Sequence, residues 1–438
     1  MHPNLRFAQA IKSNIAKDGE TWFYVAVGLF YLLGVWEHLP SSGGQIYSDI
    51  VSVYQNRFCY FGPCTGGLPY VNYFLEYPVI TGFFMYAMGA LGHIFPLPHR
   101  DLLGNYYTYT SIFLLIPTLL LVQNVLKIME MLKIGQKNRR ALVYLVATPT
   151  FVFMLLLNWY VVGVFFAVFG LRKFLEGGKN RNLWSGLLFG LSAASNLITA
   201  VPAFGILTFG ADSWKERARS ISSLLVAVFL AYLPVIFLNS FPHSYMNASH
   251  VTVKYSFSFP NTNFVSDFLS YEEGWYAEGS WILAFFANSS PIRHYIFPIL
   301  FGILFSLIVY RGAKAKKSTT TSAEKARLVL TTSSLFTFAF LFSAYICTPQ
   351  MNLLLLPFFV LIPAMTKRYP EFLTFEIVNA LVIVWGFSSP LAFLGISLPT
   401  PVQFGPIWVS PIQFLAVLRS FWIGKFLLVD GLLNKSLF

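Results

Sequence analysis

The chain has 438 residues, of which 56% are hydrophobic and 11% are charged, and its formal net charge is +12. A soluble globular protein carries about 25% charged residues, so this composition excludes an ordinary soluble protein and is typical of a polytopic membrane protein. Basic cytoplasmic loops account for the excess positive charge, and nucleic acid is therefore not expected as a partner.

The apolar segments predict an all-α fold with about 12 transmembrane helices, since a helix needs about 20 residues to cross the bilayer. The first of them follows a polar, basic stretch and has no small-residue cleavage site behind it, so it is predicted to be a retained span. In chain order the segments are 21–39, 78–95, 105–126, 141–157, 159–174, 184–210, 221–239, 291–310, 328–346, 350–366, 372–393 and 407–428.

Basic residues mark the segments that are predicted to face the cytoplasm. Both chain termini are predicted to lie on that side. The basic segments are the N-terminal stretch with Arg6, Lys12 and Lys17, then 127–140, 172–181, 215–219, 311–327 and Lys367–Arg368.

Two apolar segments do not fit simple alternation across the membrane. If 78–95 crossed, the basic loop 127–140 would lie outside, so 78–95 is predicted to be a helix at the outer surface. The segment 184–210 has basic residues on both sides, which predicts two short helices meeting near Ser195–Thr199. Pro202 and the polar Ser-Asn pair favour a break there.

The topology predicts a single membrane domain, 1–438, with two large extracytoplasmic loops. The first loop is 40–104 and includes the surface helix, and the second is 240–290. Cys59 and Cys64 share the first loop, where either a disulfide or two free thiols would be consistent with the sequence.

Residues 45–80 of the first loop carry two acids in a chain with few acids, Asp49 and Glu76. A carboxylate at the outer edge of a span is well placed to accept a proton from a hydroxyl group, which is the candidate role of Asp49. Alternatively, Ser48 or Asp49 caps a short helix, and the two roles are compatible. Glu76 is a candidate for holding an acceptor or orienting Arg57, or else for capping the helix that follows.

Further candidates lie in predicted outer turns. Asn158 and Trp159 occupy a tight turn between two spans, and Gln350 in another turn can donate a hydrogen bond to a sugar or a phosphate. Arg293 and His294, at the start of a span, are candidates for binding an anionic phosphate.

Several classes of protein are disfavoured by the sequence. It contains no glycine-rich phosphate loop, no His-Glu-x-x-His motif and no nucleophile elbow. The predicted spans carry few charges, whereas ion-coupled transporters usually have ionisable groups within their spans.

The order of the motifs resembles polyprenyl-phosphate-sugar-dependent glycosyltransferases of the GT-C fold, above all glycosyltransferase family 87 and the GPI mannosyltransferase I family. The first outer loop of those enzymes resembles Tyr47-Ser48-Asp49-Ile50, Leu68-Pro69-Tyr70 and Glu76-Tyr77-Pro78. Leu157-Asn158-Trp159 resembles their Asn-Trp-Asp turn. The stretch from Ser185 to Asn196 resembles their glycine-rich short helix. Thr348-Pro349-Gln350 resembles their Ser-Pro-Gln-Tyr turn.

The resemblance implies an inverting hexosyltransferase, such as a mannosyltransferase, with Asp49 as general base. The donor would be a polyprenyl- or dolichyl-phosphate-linked sugar, the acceptor a glycan, glycolipid or protein, and the membrane that of the cell or of the endoplasmic reticulum. No cofactor is expected, and a single Asp in the first motif disfavours a metal. The expected substrate-binding residues are Glu76, Tyr77, Arg57, Asn158, Trp159, Asn196, Gln350, Arg293 and His294.

Two other functions are consistent with the same predicted membrane fold. Tyr160 stands where the family often has Asp, and Asn196 near its expected Lys, which suggests a non-catalytic GT-C-like partner subunit. A lipid or glycolipid transporter is the third hypothesis, and it predicts that replacing Asp49 has little effect.

Overall fold

The structure is a computed structural model, and it is helical apart from one short hairpin in the part of the chain that it describes. The described residues are 23–40, 48–54, 67–72, 75, 77–132, 145–238, 292–344, 349–362, 369–386, 402–404, 407–409 and 411–434.

The described helices include long, apolar ones and a few of five or six residues. In chain order they are α1 (Phe23–Glu37), α2 (Asp49–Val53), α3 (Val79–Ile94), α4 (Leu102–Met131), α5 (Pro149–Met154), α6 (Tyr160–Leu175), α7 (Arg181–Ser195), α8 (Trp214–Phe237), α9 (Ile292–Ser318), α10 (Ser322–Ser343), α11 (Leu356–Leu361), α12 (Tyr369–Gly386) and α13 (Pro411–Lys425). Strands β1 (Val402–Phe404) and β2 (Ile407–Val409) pair antiparallel, with Gln403 opposite Trp408.

Four helices in the described part of the chain are long and apolar enough to cross a bilayer. They are Leu102–Met131, Trp214–Phe237, Pro298–Ser318 and Ser322–Ser343. Large apolar side chains are exposed on several of them, including Phe229 on α8 and Ile303 on α9. Because such surfaces are rare on soluble proteins, this pattern indicates a membrane-embedded protein.

Close packing of small residues joins α7 to α8. A Cβ atom on Gly186 would lie 2.4 Å from the carbonyl oxygen of Ser220, and one on Gly190 would lie 2.4 Å from that of Leu224. Only glycine allows this backbone approach, which is common between membrane helices. The pair α6 and α7 packs against α4 on one side and α8 on the other, and α3 packs against α4 and α7.

The break predicted within 184–210 is present. Helix α7 ends at Ser195, and a 3₁₀ turn, Leu197–Ala200, follows it. The side-chain oxygen of Asn196 accepts a hydrogen bond from the N–H of Ile198, which starts the new turn in place of continuing the helix.

Two of the predicted continuous spans are wrong. In the described part of 141–157 the helical residues Leu145 and Val146 are followed by a bend and then by the six-residue helix α5, because Thr148 caps a new helix start and Pro149 occupies its first turn. The segment 407–428 begins with strand β2, and the helix starts only at Pro411. Apolar composition alone does not reveal either interruption.

The two ends of α6 and α7 differ in chemistry. At one end Glu176 pairs with Arg172 at 2.6 Å and with Lys173 at 2.8 Å, and Arg181 lies 3.4 Å from Asp212. At the other end the hydroxyl of Ser192 donates to the carbonyl oxygen of Gly163 over 2.9 Å. The charged pairs therefore lie at the end of the helices opposite to Tyr160 and Ser195.

Candidate functional site

Asp49 is held in place by a distant part of the chain. Its backbone N–H donates to the carbonyl oxygen of Leu157 over 2.7 Å, and the hydroxyl of Ser48 donates to that of Leu156 over 2.8 Å. Ser48 occupies the N-cap position of α2, but its side chain makes no capping bond. The Ser48 hydroxyl therefore anchors α2 to another segment and does not cap it.

Leu157, which accepts the hydrogen bond of Asp49, is followed directly by the turn that the sequence predicted at Asn158 and Trp159. The side-chain oxygen of Asn158 accepts a hydrogen bond from the N–H of Tyr160 over 2.9 Å, which closes the turn and starts α6. Asn158 is 2% exposed, Trp159 is 2% exposed and Asp49 is 8% exposed, so all three side chains are shielded from solvent. One backbone bond and one side-chain bond thus hold Asp49 beside Leu157, the residue before the Asn158 turn.

Tyr77, which lies just before α3, contacts the same turn. Its ring meets the ring of Trp159 edge-on, with centroids 5.0 Å apart, an arrangement that aromatic pairs prefer. The indole N–H of Trp159 is buried and has no hydrogen-bond partner among the described residues. A buried donor without a partner calls for an explanation, and a bound ligand or a water molecule would supply one.

Tyr70 fixes the approach of the first loop to α3. Its hydroxyl donates to the carbonyl oxygens of Tyr77 at 2.8 Å and of Pro78 at 3.1 Å. A Cβ atom on Gly82 would lie 1.8 Å from that hydroxyl oxygen, so Gly82 leaves the space that the ring of Tyr70 occupies. Tyr70 has a φ of 65°, a left-handed conformation that costs energy and that the surrounding contacts stabilise.

The break in 184–210 meets α3 near the same place. The hydroxyl of Thr81 donates to the carbonyl oxygen of Ser195 over 2.7 Å, directly before Asn196. The side-chain oxygen of Asn196 itself caps the turn that follows, which supports a structural role for this residue. The first loop, the Asn158 turn and the Asn196 turn therefore lie at one end of the α6 and α7 pair.

Gln350 lies in a 3₁₀ turn, Pro349–Leu354, which we call the Gln350 turn. This turn packs against α5 and α6, the two helices that flank Asn158 and Trp159. Gln350 is 7% exposed. The structure thus brings five of the predicted site residues to one region, namely Asp49, Tyr77, Asn158, Trp159 and Gln350.

Of the other predicted site residues, Asn196 is described above, and the remaining four lie wholly or partly outside what the structure describes. Glu76 and Arg57 are not among the described residues, and of Arg293 and His294 only the helical backbone is described. The cysteines Cys59 and Cys64 and the predicted outer loop 240–290 also lie outside the described residues. In the part that is described, no group of three His, Cys, Asp or Glu side chains is arranged to hold a metal ion.

Ser48, Tyr70 and Thr81 are site-supporting residues whose roles the sequence did not indicate. Each donates its hydroxyl to a backbone carbonyl, and for Ser48 and Thr81 that carbonyl lies more than 100 residues away. No local sequence pattern predicts such a bond. The one available signal is that each residue lies beside a candidate motif.

No protein-family model matches this chain, and neither a curated protein nor a solved structure matches it significantly.

Proposed function

We propose that this protein is an integral-membrane glycosyltransferase of the GT-C type that transfers a hexose from a polyprenyl- or dolichyl-phosphate donor. The observation that carries the proposal is the docking of Asp49 and Ser48 onto the backbone of Leu156 and Leu157, directly before the Asn158 turn. Segments that are more than 100 residues apart meet there. A carboxylate that is shielded from solvent is suited to acid–base chemistry on a sugar.

The proposed reaction needs one catalytic carboxylate. Asp49 accepts the proton of the acceptor hydroxyl, whose oxygen forms a bond to the anomeric carbon of the donor sugar. The bond from that carbon to the phosphate oxygen breaks on the opposite face, and the lipid phosphate leaves with the electron pair. Phosphate is a good leaving group, so a second carboxylate as general acid is not required, in contrast to glycosidases.

The residues around Asp49 have separate proposed roles. The indole N–H of Trp159 and the amide of Gln350 donate hydrogen bonds to sugar or phosphate oxygens, and Tyr77 holds the Trp159 ring in place. Asn196 is assigned to substrate binding from the sequence, in addition to the capping bond that its side-chain oxygen makes. Glu76, Arg57, Arg293 and His294 are assigned to acceptor and phosphate binding from the sequence alone.

The topology that this function requires has about 12 crossings, with the site on the extracytoplasmic face of the cell membrane or the endoplasmic reticulum membrane. The placement of Arg172, Lys173 and Arg181 at the end opposite to the site supports this orientation. A single cysteine introduced at Glu176 should react with an impermeant thiol reagent only from the cytoplasmic side. Labelling of that cysteine from outside would contradict the orientation.

Transfer is tested with purified protein in lipid nanodiscs and polyprenyl-phosphate hexoses as donors. We expect the unsubstituted protein to release polyprenyl phosphate in the presence of an acceptor, and Asp49→Asn to reduce the rate by at least about 1,000-fold while remaining folded. The matched control is Asp212→Asn, which removes an exposed carboxylate at the opposite end of the helices and should leave the rate unchanged. Full activity of Asp49→Asn would refute the assignment of the base.

If the unsubstituted protein transfers no sugar from any such donor, the glycosyltransferase proposal is wrong. In that case lipid flipping by the protein reconstituted in proteoliposomes tests the transporter, and co-purification of a second membrane subunit tests the partner protein.

A further inference from the structure

A second set of polar residues lies in the interior, close to the candidate site but separate from it. It comprises Thr150, Asn352, Glu376, Asn379 and Arg419, and the exposed fraction of each is 0%. They come from α5, the Gln350 turn, α12 and α13, which are brought together only by the fold. We call these five residues the Asn379 network.

The side-chain amide of Asn379 joins three of these segments. Its N–H donates to the hydroxyl oxygen of Thr150 over 2.8 Å, and its oxygen accepts from the amide of Asn352 over 2.6 Å and from the guanidinium of Arg419 over 3.2 Å. The backbone N–H of Thr150 donates to a carboxylate oxygen of Glu376 over 3.0 Å. The network therefore cross-links α5 and the Gln350 turn through α12.

Stability alone does not account for this arrangement. Removing an Arg and a Glu from water costs more than most hydrogen bonds return, and apolar residues of similar size would pack here at equal or lower cost. The second carboxylate oxygen of Glu376 is buried without a hydrogen-bond partner in the described part of the chain, which adds to that cost. What such a network provides is a single, fixed geometry, because its bonds form only at one relative placement of the segments.

Both segments that the network fixes lead directly into the candidate site. Asn352 lies two positions after Gln350, in the same 3₁₀ turn. Thr150 lies on α5, whose continuation supplies the carbonyl oxygens of Leu156 and Leu157 that hold Ser48 and Asp49. A shift of Thr150 relative to Asn352 would therefore change the distance between Asp49 and Gln350.

We propose that the Asn379 network is a positioning device that sets the spacing between Gln350 and the Asp49 anchor. Its residues do not touch substrate, and they act through the two segments that they join. The role of the Asn379 network in catalysis rests on the proposed function. The tie between the two segments, in contrast, is a property of the protein that is measurable without any activity.

The test replaces Thr150 by Val, which keeps the shape and removes the hydroxyl that accepts from Asn379. We expect amide hydrogen exchange in residues 349–355 and at Asp49 to accelerate at least about tenfold, since the buried hydrogen bonds of that hydroxyl with Asn379 and Glu376 no longer oppose local opening. The matched control is Thr118→Val, because Thr118 is equally buried and its hydroxyl bonds only to Leu114 in its own helix. Exchange at those amides should not change in the control.

The kinetic readout separates positioning from binding. In Thr150→Val we expect kcat to fall at least about tenfold and KM to stay within about twofold, because misplacement affects the transition state more than substrate binding. Thr150→Ser restores the hydroxyl and should restore both kcat and the exchange rates. Asn379→Leu is the second variant: it keeps a similar side-chain volume and removes the amide that bonds to Thr150, Asn352 and Arg419.

Wild-type exchange rates in folded Thr150→Val and Asn379→Leu would overturn the proposal whatever the activity. Loss of folded protein in both variants, with Thr118→Val intact, would also overturn it in favour of a purely structural role. Faster exchange in a protein that transfers no sugar even when unsubstituted would support the tie between the segments and refute the proposed function instead.

Discussion

The backbone N–H of Asp49 donates to the carbonyl oxygen of Leu157 over 2.7 Å, across more than 100 positions of sequence. This bond and the parallel bond from Ser48 to Leu156 determine where the carboxylate of Asp49 lies. The short helix α2 has only five residues, too few to hold a stable direction by itself. The orientation of the proposed base therefore depends on a tertiary contact.

Replacing Ser48 with Ala should destabilise the protein by about 1 kcal/mol and lower kcat, because the carbonyl of Leu156 loses its buried partner. The measurement is the thermal midpoint in nanodiscs together with the transfer rate. Ser111→Ala is the matched control: Ser111 is also 4% exposed, and its hydroxyl bonds only to Tyr107 in its own helix. Equal losses in the two variants would argue against the anchoring role of Ser48.

Gly82→Ala should destabilise the protein by about 1–3 kcal/mol, since the new methyl group would overlap the hydroxyl of Tyr70 and displace it from Tyr77 and Pro78. Thermal unfolding followed by fluorescence measures the change. Gly302→Ala provides the comparison, because a Cβ there meets nothing within 4 Å and Ala favours a helix. A Gly82→Ala protein as stable as Gly302→Ala would show that Tyr70 is free to move.

Trp159→Phe should keep the edge contact with Tyr77 and remove only the indole N–H, which has no hydrogen-bond partner in the described residues. Stability should stay within about 1 kcal/mol of the unsubstituted protein, whereas KM for the lipid-linked donor should rise about 2- to 10-fold if that N–H binds the donor. Trp184→Phe, at a position that is 53% exposed, should change neither quantity. An unchanged KM in Trp159→Phe would remove Trp159 from the binding residues.

At the opposite end, a hydrogen bond from Lys325 holds the pKa of the Asp212 carboxyl below its ordinary value, and the charge of Arg181 adds to this. A lowered pKa in the folded state means that Asp212 stabilises the protein above the unfolded pKa of about 4, and that this contribution is lost as the pH falls through the lower folded value. Asp212 is largely exposed, so the contribution should be no more than about 1 kcal/mol.

The check is the thermal midpoint of Asp212→Asn against the unsubstituted protein between pH 8 and pH 3. The two midpoints should differ by a constant amount down to about pH 5 and converge at lower pH. A difference that grows on acidification would contradict the assigned ion pair.

The sequence by itself indicated a helical membrane protein. Long apolar segments favour burial in lipid, and basic loops mark the cytoplasmic side. It also located the break at Ser195 and Asn196, where local polarity and Pro202 act within a few residues. It missed the interruption at Thr148 and Pro149, since the flanking residues are as apolar as those of a continuous span.

Only the tertiary structure decided which residues meet. The bonds from Ser48 to Leu156, from Thr81 to Ser195 and from Asn379 to Thr150 join segments that are 108, 114 and 229 positions apart. Each is one hydrogen bond between common residue types, and nothing in the composition or periodicity around either partner specifies the other. The sequence set where polar residues interrupt the apolar segments, and the packing of the helices determined which of those interruptions face each other.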